Sequence, residues 1–430
     1  MLSRSAIAPA LALACLAGTA SAEIHQMVCF LSGRQEVPAN ASPAFGCGVF
    51  RVDTDANTVS YRITRSPVTT AEVAAHIHGF SGPGVNSGVV HALPSGELKI
   101  GVWNYPEAME NDILNGRCYV NIHSSSLPGG EIRGQIVDAV AELDGGQEVP
   151  ANASAARGFG LINLDTVTNT ARIYVGLDGV VGEVGAHIHG IARQGINAPV
   201  IFALPLGPVK VATWNYPEAI EQELLSGLCY FNVHTAAFPG GEIRGQIITS
   251  VNVVDRLQEV PNSITSSVGC VLCGLDRQNN GLTYDLRISL LGSVQTAAHI
   301  HGFSPAGINS GVVHNIGIGN RVLGGWNYPA AAEASIENQL TYVNVHSNVF
   351  PGGEIRGQLF FPPLPAPCFW QATGSCAADY DGDGDFDSDD VVFYFMAFDT
   401  SEACADADGD GDVDSDDVIE FFNKWEAGSC

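Results

Sequence analysis

Nine histidines fall into three matching sets. His76 and His78 are separated by one residue and His123 lies 47 positions after His76; the same intervals recur at His187, His189 and His234, and at His299, His301 and His346. Residues two apart on a strand project from one face, so each pair presents two imidazoles side by side and a distant strand adds a third. Three imidazole nitrogens with an open fourth position suit Zn2+ or Cu2+. His91 and His314, each 15 residues after the first histidine of its set, offer a fourth nitrogen in two sets; the middle set has Phe202 there. A metal-free reading uses the same residues. The histidines would hydrogen-bond backbone carbonyls around the Gly-rich turn that follows, while Arg133, Arg244 and Arg356 pair with Glu131, Glu242 and Glu354. Duplication copies structural residues as faithfully as ligands, so repetition leaves both readings open.

A second chemistry is concentrated near the C-terminus. Asp379, Asp381, Asp383, Asp387 and Asp390 stand at positions 1, 3, 5, 9 and 12 of a loop with Gly384 at position 6 and the carbonyl of Asp385 at position 7. Asp406, Asp408, Asp410, Asp412, Asp414 and Asp417, with Gly411, repeat the pattern 27 residues later. Ca2+ takes six to eight oxygens on a loop that turns sharply, and this spacing predicts two Ca2+ sites. An apolar stretch follows each loop, predicting helices over 391–398 and 418–425. Net charge is 19 − 46 = −27; the 18 acids and one Lys from Cys376 onward account for −17 of it. With no basic stripe to neutralise phosphates, nucleic-acid binding is excluded, and adsorption to anionic membrane is disfavoured.

The elements that position the histidines come in triplicate. Gln-Glu-Val-Pro recurs at Gln35, Gln147 and Gln258, Ala-His-Ile-His-Gly at Ala75, Ala186 and Ala298, Trp-Asn-Tyr-Pro at Trp103, Trp214 and Trp326, and Pro-Gly-Gly-Glu-Ile-Arg-Gly-Gln at Pro128, Pro239 and Pro351. A period near 111 residues is a domain with its own core, not a solenoid unit. Short alternating runs such as Val59–Ile63 and Cys118–Ile122, broken by Asp- and Gly-rich turns, predict antiparallel strands in a sandwich or barrel. A short helix is expected after each Trp-Asn-Tyr-Pro, ended by Gly116 and Gly227 in the first two copies. The chain therefore reads as mainly β, with three tandem domains over 23–140, 141–251 and 252–361, a Pro-rich linker over 362–376 and a small helical calcium module over 377–430. Residues 1–22 carry an apolar run ending in Ala20-Ser21-Ala22, a signal-peptide pattern. The mature chain is thus expected outside the cell, at its surface or in the periplasm, with no membrane span. Its ten cysteines, an even number, are consistent with full oxidation. Their pairing does not follow from spacing, and Cys368, Cys376, Cys404 and Cys430 suit staples on the small tail.

The Ala-His-Ile-His-Gly, helix-region and Asn-Ile-His…Pro-Gly-Gly-Glu-Ile-Arg-Gly-Gln segments resemble the CHRD domain first described in chordin, in three copies that cover most of the chain. The resemblance implies a β-rich extracellular module and leaves its ligand open. The duplicated loop-helix tail resembles a dockerin, which implies Ca2+-dependent folding and a cohesin-like or cell-surface partner, and with it a place in a polysaccharide-degrading assembly. The histidine order is distantly similar to that of Cu/Zn superoxide dismutases, which implies a copper or zinc site with redox chemistry. The leading expectation is a secreted, non-catalytic binding or cell-surface protein.

Overall fold

The computed structural model describes residues 24–289, 291–361, 391, 394, 395 and 415–427. The expected signal peptide, the linker, and Asp379, Asp381, Asp383, Asp385, Asp387, Asp390, Asp406, Asp408, Asp410, Asp412 and Asp414 lie outside the described residues. So do the four tail cysteines.

Copy one forms eight strands: β1 (Ile24–Ser32), β2 (Phe45–Asp53), β3 (Thr58–Arg65), β4 (Glu72–Gly79), β5 (Gly88–Ala92), β6 (Leu98–Asn104), β7 (Cys118–Ser124) and β8 (Ile132–Gln135). They pair in the order β5-β4-β7-β8-β1-β2-β3-β6, and copies two and three repeat that order in their own nearly closed antiparallel sheets. Period-two alternation builds each interior: Ile77, Val120, Ile122 and Ile132 are fully buried against one another while the residues between them face outward. The helix expected after Trp-Asn-Tyr-Pro is present as Glu110–Leu114, Glu221–Leu225 and Glu333–Glu337, each entered through a 3-10 turn. Gly116 and Gly227 adopt the left-handed conformation just beyond it, and Gln339 does so in copy three.

Besides the three barrel interiors, a fourth buried cluster draws Val28 and Val49 from copy one, Phe159 and Leu161 from copy two, and Val253 and Leu272 from copy three. The copies therefore pack around a shared core as a pseudo-threefold trimer on one chain. This arrangement explains a pairing that spacing could not supply. Cys47, Phe159 and Cys270 occupy the same position in the three copies, and the first and last are joined by a disulfide across 223 residues. Full oxidation, by contrast, is not found. Cys29, Cys118, Cys229 and Cys273 are free thiols, and Cys118 and Cys229, although matched, are buried in the interiors of different barrels.

A buried ion pair seals the same junction: Arg62 of copy one donates from Nε and Nη2 to Asp255 of copy three at 2.9 and 2.7 Å, with both side chains at most 1% exposed. In the tail, Ser415–Ala427 is helical, Tyr394 stacks on Phe421 at 3.9 Å, and Asp417 is buried at the start of the helix. Removing one partner of a buried pair takes away a charge-assisted contact that the fold cannot replace with water. Asp255→Ala should therefore cost ~3–5 kcal/mol in urea unfolding, whereas a loss below ~1 kcal/mol would contradict the pair's role in closing this junction.

Candidate metal centre

His76 and His78 lie on β4 with their side chains on the outer face, because Ile77 between them is turned into the barrel. β7 runs antiparallel beside β4 with Ala74 opposite His123 and His76 opposite Asn121, which sets the third imidazole next to the first two. One nitrogen from each ring lies within 4.8 Å of the other two, and the same holds for His187, His189 and His234 and for His299, His301 and His346.

Backbone carbonyls fix which nitrogen is free. A carbonyl only accepts, so the proton must be on Nδ1 where His78 meets Ser87 O at 2.9 Å and where His123 meets Pro128 O at 3.0 Å. In the neutral ring, Nε2 then carries the lone pair, available to the cluster. Copies two and three repeat these bonds from His189 to Ala198, His234 to Pro239, His301 to Ser310 and His346 to Pro351. Seven of the other nitrogens have no partner among the described residues: Nε2 of His78, His189, His234, His301 and His346, and Nδ1 of His187 and His299, are buried and unbonded. In copy one, His76 Nδ1 faces His123 Nε2 at 3.3 Å. Burial lowers the pKa of His78, His123, His187, His189, His299, His301 and His346, so the rings resist protonation. Converging lone pairs on neutral imidazoles, without sulfur or carboxylate among them, are a donor set for Zn2+ or Cu2+ and a poor one for Ca2+. The carbonyl bonds expected of a metal-free network are thus present, and their effect is to aim the other nitrogen.

His91 and His314 do not join these clusters. A register shift between Ile77 and His78 puts His91 opposite Ile77, on the inward face. There it meets Tyr61 Oη at 3.2 Å and stacks on Trp103; His314 does the same with Tyr284 and Trp326, and Phe202 stacks on Trp214. The position fills the barrel end with a flat ring, which phenylalanine supplies as well as histidine. The expected pairing of Arg133 with Glu131 is also replaced. Arg133 lies 3.5 Å over the Tyr119 ring and donates to Asn86 and Gln135, while Glu131 accepts from Ser42 and Thr69.

Behind the histidines is a layer that the sequence reading missed. Tyr119 stacks on His78 with centroids 5.0 Å apart, and its hydroxyl accepts from the Ser87 N–H, so one loop residue holds both rings. Asn121 faces Glu36, and a Cβ at Gly130, where φ is +136°, would sit 2.6 Å from an oxygen of each. Only glycine fits that position. The available signal was parity, since Tyr119, Asn121 and His123 alternate along one strand. Burial raises the pKa of Glu36 and Glu148 to about 7 and of Glu259 to about 8, against the pull of Arg133, Arg244 and Arg356.

Three eight-stranded barrels, each carrying a three-histidine face, define a tandem β-module protein. The CHRD domain profile matches residues 28–136, 139–247 and 252–359, and the chain belongs to that family. No curated protein and no solved structure matches it significantly. Among the described residues no helix is long and apolar enough to cross a membrane.

A carboxyl with a raised folded pKa binds its proton more tightly when folded; that stabilisation is complete below the unfolded value near 4.5 and is lost as pH climbs through 7 to 8. The buried histidines run the other way, losing stability only as pH falls below about 6.5. Between pH 6.5 and 8.5 the Tm of the metal-free protein should therefore fall, and the triple variant Glu36→Gln, Glu148→Gln, Glu259→Gln should fall less. Equal slopes for the two proteins would contradict this origin.

Proposed function

We propose that this is an exported, multimodular binding protein in which each CHRD copy holds one Zn2+ or Cu2+ ion on its three histidines. The observation that carries the reading is the set of three ring nitrogens, one from each histidine, within 4.8 Å of one another in every copy, with unbonded nitrogens on all three rings in copies two and three and on His78 in copy one. His76, His78 and His123 and their counterparts are the ligands; Ser87 and Pro128 carbonyls and the Tyr119 ring orient them. The fourth coordination position is left for water or for a group on a partner molecule. The Cys47–Cys270 disulfide supports an oxidising compartment, as the signal-peptide pattern does.

The tail gives the protein its attachment. Ca2+ neutralises the crowded carboxylates of the two loops and folds the dockerin-like module, which docks on a cohesin-like or cell-surface partner. Membership of a polysaccharide-degrading assembly follows only from that partner. Dismutase-type chemistry gains no support, since the histidines that would bridge two metals, His91 and His314, are turned into the barrels.

Full-length protein dialysed against limiting Zn2+ or Cu2+ should retain three equivalents per chain by elemental mass spectrometry. His78→Ala with His123→Ala should remove one, His91→Phe none, and binding should weaken below about pH 6 as protons compete. Retention of less than one equivalent, or no loss in the double variant, would sink the ligand assignment. For the tail, limited proteolysis of the full chain should cut beyond residue 376 only after Ca2+ chelation, leaving the three barrels intact; a tail cut equally fast with and without Ca2+ would contradict calcium-driven folding.

A further inference from the structure

The pseudo-threefold arrangement makes the same joint three times, and the joints are not equally closed. Each sets the segment around the Gln-Glu-Val-Pro motif of one copy against β3 and β6, or their counterparts, of another. Between copies three and one, Asp255 receives Arg62. Between copies two and three, Asp144 receives Arg321, Glu142 faces Arg287, and Arg193 reaches across to Asn327 at 2.7 Å. Between copies one and two these links are absent. Ser32 stands where the others have Asp255 and Asp144, Tyr174 where they have Arg62 and Asp285, and Gly82 where copy two has Arg193.

The space left is correspondingly large. Two adjoining cavities of about 540 and 710 Å³ share Pro83, Leu161 and Tyr174, whereas those at the second and third joints measure about 440 and 220 Å³. Together the first two make one cleft, in the size range of a small-molecule site. Its floor is apolar, with Phe159, Leu161, Leu177 and Val137, and Val209 and Val211 are 51% and 69% exposed along it. Its charged groups are four cations, Arg34, Arg117, Arg133 and Arg172, against three carboxylates, Glu36, Asp112 and Asp178, in a chain with more than twice as many acids as bases. Arg172 donates to the neutral amides Asn115 and Asn163. Arg34 Nε makes no hydrogen bond, and its nearest carboxylate, Asp178, is 4.0 Å away and 76% exposed. The Tyr174 hydroxyl, beside Gly84, also has no hydrogen-bond partner among the described residues.

We infer that this joint is a binding cleft for an amphipathic organic anion, an apolar chain or ring that carries one acidic head. The apolar body lies on Leu161, Phe159 and the two valines, and the head meets Arg34 with the Tyr174 hydroxyl as a second donor. No histidine lines the cleft, and it exists once per chain because this joint, whose Arg34 and Asp178 stand 4.0 Å apart, lacks the closer ion pairs that close the other two.

The test uses the full chain with Ca2+ present and the anionic dye 1-anilinonaphthalene-8-sulfonate as reporter. One dye should bind per chain and be displaced by decanoate, with 1-decanol at least about tenfold weaker. Val211→Asp should weaken decanoate by at least about tenfold, while Val167→Asp, at a position 93% exposed and outside the cleft, should change nothing. Arg34→Ala should narrow the gap between decanoate and decanol. Equal displacement by decanol would overturn the anionic head, and an unchanged Val211→Asp, or no displacement by decanoate, would overturn the cleft.

Discussion

The hydrogen bond from an imidazole Nδ1 to a backbone carbonyl is the interaction on which the site depends. A histidine on a strand can rotate and exchange tautomers; one whose Nδ1–H is held by Ser87 or Pro128 can do neither without breaking a partly buried bond. The loop that supplies Ser87 is itself fixed through the Tyr119 hydroxyl and through Asn86, which donates to Val37 in the segment over β7 and β8. Arg133 lies on the Tyr119 ring and closes the stack. The repeated words of the sequence are therefore parts of one device: Gln-Glu-Val-Pro covers it, Ala-His-Ile-His-Gly presents two rings, and Pro-Gly-Gly-Glu-Ile-Arg-Gly-Gln contributes the carbonyl, the obligatory glycine and the arginine.

Energetically the device is costly without a ligand. Buried polar atoms are normally bonded, and each orphan carries a desolvation penalty of roughly 1–3 kcal/mol. The chain maintains this three times over, and the lowered histidine pKa values oppose its relief by protonation. The divalent ion proposed for each copy would satisfy the converging nitrogens together. The pseudo-threefold core then places three such faces on one molecule, tied by the Cys47–Cys270 disulfide and the Arg62–Asp255 pair.

Much of this was legible in the sequence. Strand alternation and the threefold repeats gave the barrels, and the one-residue gap between His76 and His78 placed them on one face, because period two leaves no other choice. What stayed hidden required contacts across register or between copies. The fifteen-residue interval to His91 says nothing about the bulge that turns it inward. Arg133 and Glu131 also lie two apart on the chain, yet each is claimed by other partners. The disulfide between matched cysteines makes sense only once the copies surround a common axis; Tyr119 was signalled only by its parity with His123, and Glu36, from a distant segment, by nothing in its spacing.

Three imidazoles of one copy are proposed to share an ion. X-ray absorption at the zinc edge, on full-length protein loaded with three equivalents, tests it directly. A shared ion should give a shell of three imidazole nitrogens at about 2.0–2.1 Å with one further light ligand and no sulfur; a shell dominated by carboxylate oxygen or by sulfur, or one without imidazole scattering, would contradict the sharing.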